Sequence, residues 1–271
     1  MFDGKRIVVV TPAGRQRYME LLVKEVYKLR AVVDEYRLWV NTENEADIKY
    51  MESLQQEFPD FITLERLTVP WNRNVSIASF FKNCQDPNTV YVRFDDDIVM
   101  IDDIDAFKDF LKFRISNPEY FLVYANILNN AILCHLQQRQ LVIPAIHGAY
   151  SGYLCSDPNG WNNGNFACGL HQVILDKLQS NPEKRLRQFH IGNWLLNDYV
   201  RVSINCISWI GDSWTDFSAI DEEEYLSVDY PRSINRPNVI YGGFSVVHFA
   251  YFTQRNVMDA SGLLDAYKRL Q

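Results

Sequence analysis

The chain has 271 residues, 47% of them hydrophobic, which is enough for one large α/β domain with a sizeable core. A formal net charge of −7 excludes the basic surface of a nucleic-acid binder, but not a nucleotide site in which a bound cation screens a diphosphate. The five cysteines are scattered and contain no C-x-x-C pair, so they fit reduced thiols and neither a disulfide framework nor a zinc site.

The first hundred residues alternate between two periods. The apolar run 7–10 predicts a strand buried on both faces, followed by a helix face at Tyr18, Leu21, Leu22, Val26 and Leu29. A second strand is predicted over 36–40, then a helix face at Ile48, Met51, Gln55 and Phe58. A third strand (61–65), a third helix (75–82) and a fourth strand (90–94) follow. Repetition of this kind predicts an α/β fold with a doubly wound, mostly parallel central sheet and helices on both faces. The second half is less regular: a strand over 121–127, a long loop or flap over 144–166, and a helix through Phe166, Leu170, Val173 and Ile174. After these come a strand over 201–210, a helix opened by Asp221, a long strand over 239–249 and a terminal amphipathic helix over 257–270. One domain spanning 1–271 is expected. The first apolar run is too short for a signal peptide and no run is long enough to cross a bilayer. The expectation is a cytoplasmic protein without a transmembrane segment, able to work peripherally at a membrane.

In doubly wound sheets ligands bind beyond the carboxyl ends of the strands. That rule selects Thr11–Arg15, Asn41–Asn44 and Asp95–Asp97. Three carboxylates at the end of a buried strand repel one another, and removing one would relieve that repulsion. A divalent cation, Mn²⁺ or Mg²⁺, is the natural compensator for oxygen donors. Pro12 and Gly14 shape a turn whose N–H groups, with Arg15, suit a nucleotide base or phosphate, while Arg73 is a further phosphate candidate. The segment is no G-x-G-x-x-G fingerprint, which counts against a nicotinamide dehydrogenase. Tyr153 and Trp161, in the 144–166 segment, are candidate sugar-stacking residues.

The strand followed by Asp95-Asp96-Asp97 resembles the Asp-x-Asp motif of GT-A-fold glycosyltransferases. The segments 11–15, 39–42 and 247–255 are similar to bacterial and viral glycan-assembly members of that family. The resemblance spans about residues 5–105 and 200–256. It implies that Asp97 and Asp95 ligate the metal and that His248, late in the chain, supplies a third ligand. It implies that Asp95 and Asp96, with Thr11, Ala13, Gly14, Arg15, Asn41 and Arg73, contact the donor. The donor would be a nucleoside-diphosphate sugar held by residues 1–105, and the acceptor a glycan or lipid-linked saccharide held by 106–271. An inverting transfer needs a carboxylate base, for which Asp221 or Glu222 stands first and Asp212 or Asp216 second.

Two other readings share these residues. Asp95-x-Asp97 with Gly211-Asp212-x₃-Asp216 also matches haloacid-dehalogenase-like phosphatases, although their nucleophile sits on a first strand and here three strands precede it. A non-catalytic binder of sugar nucleotides or glycans is the other.

Overall fold

The apolar run that opens the chain lies in β1 (Arg6–Ala13), buried from its second residue onward. The computed structural model describes residues 1–68, 70–213 and 221–271, with the side chains of residues 73 and 74 left aside. After β1 come α1 (Gln16–Lys28), β2 (Glu35–Val40), α2 (Glu45–Glu57) and β3 (Ile62–Arg66). A 3₁₀ turn (Arg73–Ser76) leads into α3 (Ile77–Phe81) and then β4 (Thr89–Phe94). Asn44 caps α2, its side chain accepting from the N–H groups of Ala46 at 2.9 Å and Asp47 at 3.4 Å.

β5 (Ile98–Ile101), α4 (Ile104–Ser116), β6 (Val123–Leu128), α5 (Ala131–Arg139) and α6 (Gly164–Ser180) follow. The chain continues through β7 (Trp194–Leu196), β8 (Cys206–Ile210) and α7 (Glu222–Glu224). A π turn (Tyr225–Asp229) links α7 to α8 (Tyr230–Ser233), and β9 (Asn238–His248), α9 (Arg255–Ala260) and α10 (Leu263–Lys268) complete the order.

The strands form one sheet in the order β3-β2-β1-β4-β8-β6-β9-β5, with β7 paired to β9. β3, β2, β1, β4, β6 and β9 run in one direction, whereas β8, β5 and β7 run against them. The mostly parallel α/β architecture is therefore as the sequence predicts. Its core is aromatic at the centre, where Trp39 stacks on Phe80 at 5.3 Å and Tyr91 on Trp209 at 5.5 Å.

Three local readings change. The strand expected over 201–210 begins only at Cys206, because the carbonyls of Ser203 and Asn205 are taken by the Asn130 side chain and the Asp95 N–H instead of a ladder. The terminal helix is two short ones, broken at Gly262, whose φ of +70° only glycine adopts readily. α4 and α5, which periodicity does not mark, begin at the side-chain caps Asp103 and Asn130.

Candidate active site

After β4 the chain does not turn back beside it. Asp95, Asp96 and Asp97 carry it over the carboxyl edge of the sheet to β5, which pairs with β9 so that Ile98 lies opposite His248. The Asp95 N–H donates to the Asn205 carbonyl at 2.9 Å, and the Asp97 carbonyl accepts from the Phe249 N–H at 2.9 Å. The triplet thus lies along the floor of a cleft of about 850 Å³.

Each carboxylate has its own cationic partner. Arg93 Nε and Nη2 meet Asp95 Oδ1 at 2.9 and 2.8 Å, and Asn205 Nδ2 donates to Asp95 Oδ2 at 3.0 Å. Asp96 accepts from the Gly14 N–H at 3.1 Å and is forked by the Arg15 guanidinium. Asp97 lies 3.0 Å from Arg15 Nη2, 3.5 Å from His248 Nε2 and 3.7 Å from Arg255 Nη2. Burial opposes ionisation of Asp97, but Arg15, His248 and Arg255 outweigh it and hold its pKa below the ordinary carboxylate range. Burial likewise opposes the charge on His248, and Asp97 outweighs it, so the imidazole pKa is raised. These pairings overturn the idea that the clustered carboxylates are uncompensated.

The glycine in this turn has a steric reason. A Cβ at Gly14 would stand 3.1 Å from the Asn41 carbonyl oxygen and 3.3 Å from Thr42 Cβ, so a larger residue would push the ends of β1 and β2 apart by a few tenths of an ångström.

No helper ligand is needed to see which residues suit a cation. His248 Nδ1 lies 2.9 Å from the Asn129 carbonyl, which keeps Nε2 turned toward Asp97 Oδ1. Donors 3.5 Å apart suit one cation bound at about 2.1 Å from each. Asp95 is different, since both its oxygens are held by Arg93 and Asn205. Among the described residues no group of three or more His, Cys, Asp or Glu is arranged to hold a metal. Of the three expected ligands, Asp97 and His248 face each other in the cleft, whereas Asp95 is turned to Arg93 and Asn205.

Of the expected donor contacts, Gly14, Arg15 and Asn41 line the cleft. Thr11 and Ala13 do not: both are fully buried in β1, and the Thr11 hydroxyl accepts from Tyr36 at 3.1 Å. Asp96 is spent on Gly14 and Arg15, so it shapes the turn rather than facing the cleft freely. The Arg73 side chain and Asp216 lie outside the described residues. Trp161 reaches the cleft, whereas Tyr153 packs on His135 at 5.8 Å and does not.

The two base candidates separate. Asp221 caps α7 and is clasped by Arg201 at 2.8 and 3.2 Å, contacts that hold its pKa down against partial burial. Glu222 is 8% exposed, lines the cleft, and has its pKa pushed up to about 7 by burial, with Arg93 opposing. Asp212 is elsewhere. It follows β8, whose Ile210 pairs with Val90 at the start of β4, while Cys206 pairs with Phe94 at its end. A strand of that length separates Asp212 from Asp95 by about 16 Å, so these two aspartates lie toward opposite ends of the strands.

Several site residues escaped sequence reasoning. Arg255 and Arg93 look like surface or strand charges until the fold places them under the triplet. Asn129 carries a signal, an Asn pair directly after an apolar strand, but its role as the partner of His248 depends on a contact 119 residues away. Buried polar atoms without a partner also mark the cleft wall: Asn41 Oδ1, Trp71 Nε1 and Arg93 Nη1.

No protein-family model matches this chain, nor does any curated protein sequence match it significantly. Among solved structures it is similar to GalNAc-T7 bound to UDP, GalNAc and Mn²⁺, at 11% identity and a TM-score of 0.50. That match covers 97% of this chain and 49% of GalNAc-T7, so the chain spans about half of that protein's length. The 4-diphosphocytidyl-2C-methyl-D-erythritol synthase of Anaerococcus prevotii DSM 20548 matches at 12% identity and a TM-score of 0.48, over 97% of this chain and all of that one. A UDP-glucose pyrophosphorylase matches at 8% identity and 0.49, over 97% of both chains. At these identities the likeness concerns the fold, and the fold of this chain is GT-A-like.

Proposed function

We propose that this protein is a divalent-metal-dependent glycosyltransferase that moves a sugar from a nucleoside-diphosphate donor to a hydroxyl of a glycan or lipid-linked acceptor, with inversion. The observation that carries the reading is the Asp97–His248 pair, 3.5 Å apart, set on the floor of the cleft beside Arg15 and Arg255. The GT-A-like fold, shared with a protein bound to UDP, GalNAc and Mn²⁺, supports it.

Asp97 and His248 would hold Mn²⁺ or Mg²⁺, which supplies Lewis-acid stabilisation of charge on the departing diphosphate. Arg15 and Arg255 face the same oxygens and share that work. Arg93 Nη1, buried and unpartnered, is placed to donate to a sugar hydroxyl. Glu222, with its pKa near neutrality, takes the proton of the attacking hydroxyl; Asp221, clasped by Arg201, orients α7 instead. Residues 1–105 hold most of the donor and 106–271 the acceptor, with His248 and Arg255 reaching back to the diphosphate. Nothing in the reading needs a membrane span, and no helix among the described residues is long and apolar enough to cross one.

A thermal-shift screen of nucleoside-diphosphate sugars with Mn²⁺ or Mg²⁺ tests the reading, since a cognate donor stabilises in proportion to RT ln(1 + [L]/Kd). The stabilising donor should then lose its nucleoside diphosphate slowly without acceptor. Release of inorganic phosphate from simple phosphomonoesters, or no metal-dependent stabilisation by any donor, would overturn it.

A further inference from the structure

Phe252 is 68% exposed, yet its ring lines the cleft. A lone exposed aromatic is ordinary, but this one stands edge-on to Trp161, another cleft residue, with ring centres 5.3 Å apart at 83°. The pair is built on a rigid scaffold. The Thr253 hydroxyl donates to the Trp161 carbonyl. Gln254 is fully buried, donates to the Gly160 carbonyl at 3.2 Å and accepts from the Tyr251 N–H at 3.2 Å. Its Oε1 also accepts from Asn129 Nδ2 at 3.1 Å. Asn129 is the residue whose carbonyl orients His248, and the Tyr251 ring lies 4.7 Å from that imidazole. Phe252 and Trp161 are therefore held in register with the Asp97–His248 pair.

We propose that Phe252 and Trp161 form a stacking shelf for a pyranose ring, the reacting unit of a saccharide acceptor. The assignment rests on the transferase reading for its role, but on the cleft geometry for its ligand. A nucleobase has polar edges, and the unpartnered Asn41 Oδ1 and Trp71 Nε1 supply partners for such edges elsewhere on the cleft wall. Phe252 offers only a flat apolar ring, which suits the C–H face of a sugar. Glu222 and Glu223, which line the same cleft, are carboxylates of the kind that accept from sugar hydroxyls.

The test uses the full chain and two probe sets. One set is nucleoside diphosphates (UDP, GDP, CDP, ADP) with Mn²⁺; the other is methyl glycosides of glucose, galactose and N-acetylglucosamine. Binding is followed by saturation-transfer NMR in wild type, Phe252→Ala and Phe252→Trp. At least one glycoside should receive saturation on the protons of one ring face. Phe252→Ala should weaken it about tenfold, Phe252→Trp should restore it, and diphosphate affinity should stay within about twofold. No glycoside bound by wild type, or unchanged glycoside binding in Phe252→Ala, overturns the proposal. Loss of diphosphate affinity in Phe252→Ala also overturns it, because the ring would then stack a base. If no diphosphate binds while Phe252-dependent glycoside binding persists, the transferase reading fails and the shelf stands as a saccharide site in its own right.

Discussion

Asp97 Oδ1 faces His248 Nε2 across 3.5 Å, at a point where Arg15 and Arg255 also reach the carboxylate. This arrangement makes Asp97 a carboxylate shared by three cationic groups, of which Arg15 also holds Asp96. Replacing it by Asn should abolish metal-dependent nucleoside-diphosphate binding in calorimetry. It should also destabilise the fold by roughly 1–3 kcal/mol, because Arg255 and His248 lose a charged partner while Arg15 keeps Asp96. A variant that is more stable than wild type in urea would show that repulsion dominates instead.

His248 should act on metal affinity before stability. His248→Ala is expected to raise the Mn²⁺ concentration for half-maximal binding by about 10–100-fold. Because Asp97 raises the imidazole pKa, the metal must displace a proton, so affinity in wild type should rise with pH through that titration. The sign for stability is opposite. The metal-free ion pair contributes fully below the ordinary histidine value and is lost as pH rises through the raised one. Metal titrations at pH 6 and 8 measure the first effect, and the variant should lose most of the difference.

Glu222 and Asp221 should part company. Glu222→Gln is expected to retain donor binding and lose transfer by at least about 10²-fold, whereas Asp221→Asn keeps transfer, caps α7 as before and loses at most about 1 kcal/mol through its exposed Arg201 pair. Wild-type transfer should rise with pH through about 7. The buried carboxyl prefers its neutral form, so its contribution to stability is complete below the ordinary glutamate value and declines as pH climbs to about 7. Glu222→Gln should therefore gain on wild type over that window, by roughly 3 kcal/mol at most. Equal transfer by both variants would remove Glu222 from the reaction.

His171 gives a structural control that does not line the cleft. Its Nδ1 and Nε2 lie 2.8 Å from the Tyr267 hydroxyl and 2.9 Å from the Phe249 carbonyl, and burial depresses its pKa to about 3. The neutral ring contributes stability above the ordinary histidine value that is lost as pH falls from about 6.5 toward 3. Denaturation midpoints of wild type should fall steeply across that window, and those of His171→Gln less so. Parallel curves for the two proteins would count against it.

Much of the site was legible because strand ends are legible. Apolar runs stopping at Thr11, Asn41 and Asp95 locate three carboxyl edges, and the sheet brings Gly14, Asn41 and Asp95 to one cleft. His248, the proposed metal partner, could be named only through resemblance, and the residues around it not at all. Arg255 and Asn129 act through contacts between distant segments, which no local period encodes, and Arg93, though only two residues from Asp95, reads in sequence as an ordinary strand charge. Thr11 and Ala13 failed for a related reason. β1 runs on to Ala13, past the point where its apolar run breaks at Thr11-Pro12, so strand residues were read as loop.

The crossing made by the aspartate triplet sets an order of assembly. β5, which leaves the triplet, has its partner in β9, so Asp97 cannot meet His248 until a strand near the end of the chain has docked. Closing such a long loop is entropically slow, and contacts this distant in sequence generally form late. During synthesis the chain would therefore present the β1–β4 layer and its cleft-facing turns well before Asp97 and His248 could meet. Donor and metal would then favour only the finished fold, making them selective stabilisers of chains in which β9 has found its place.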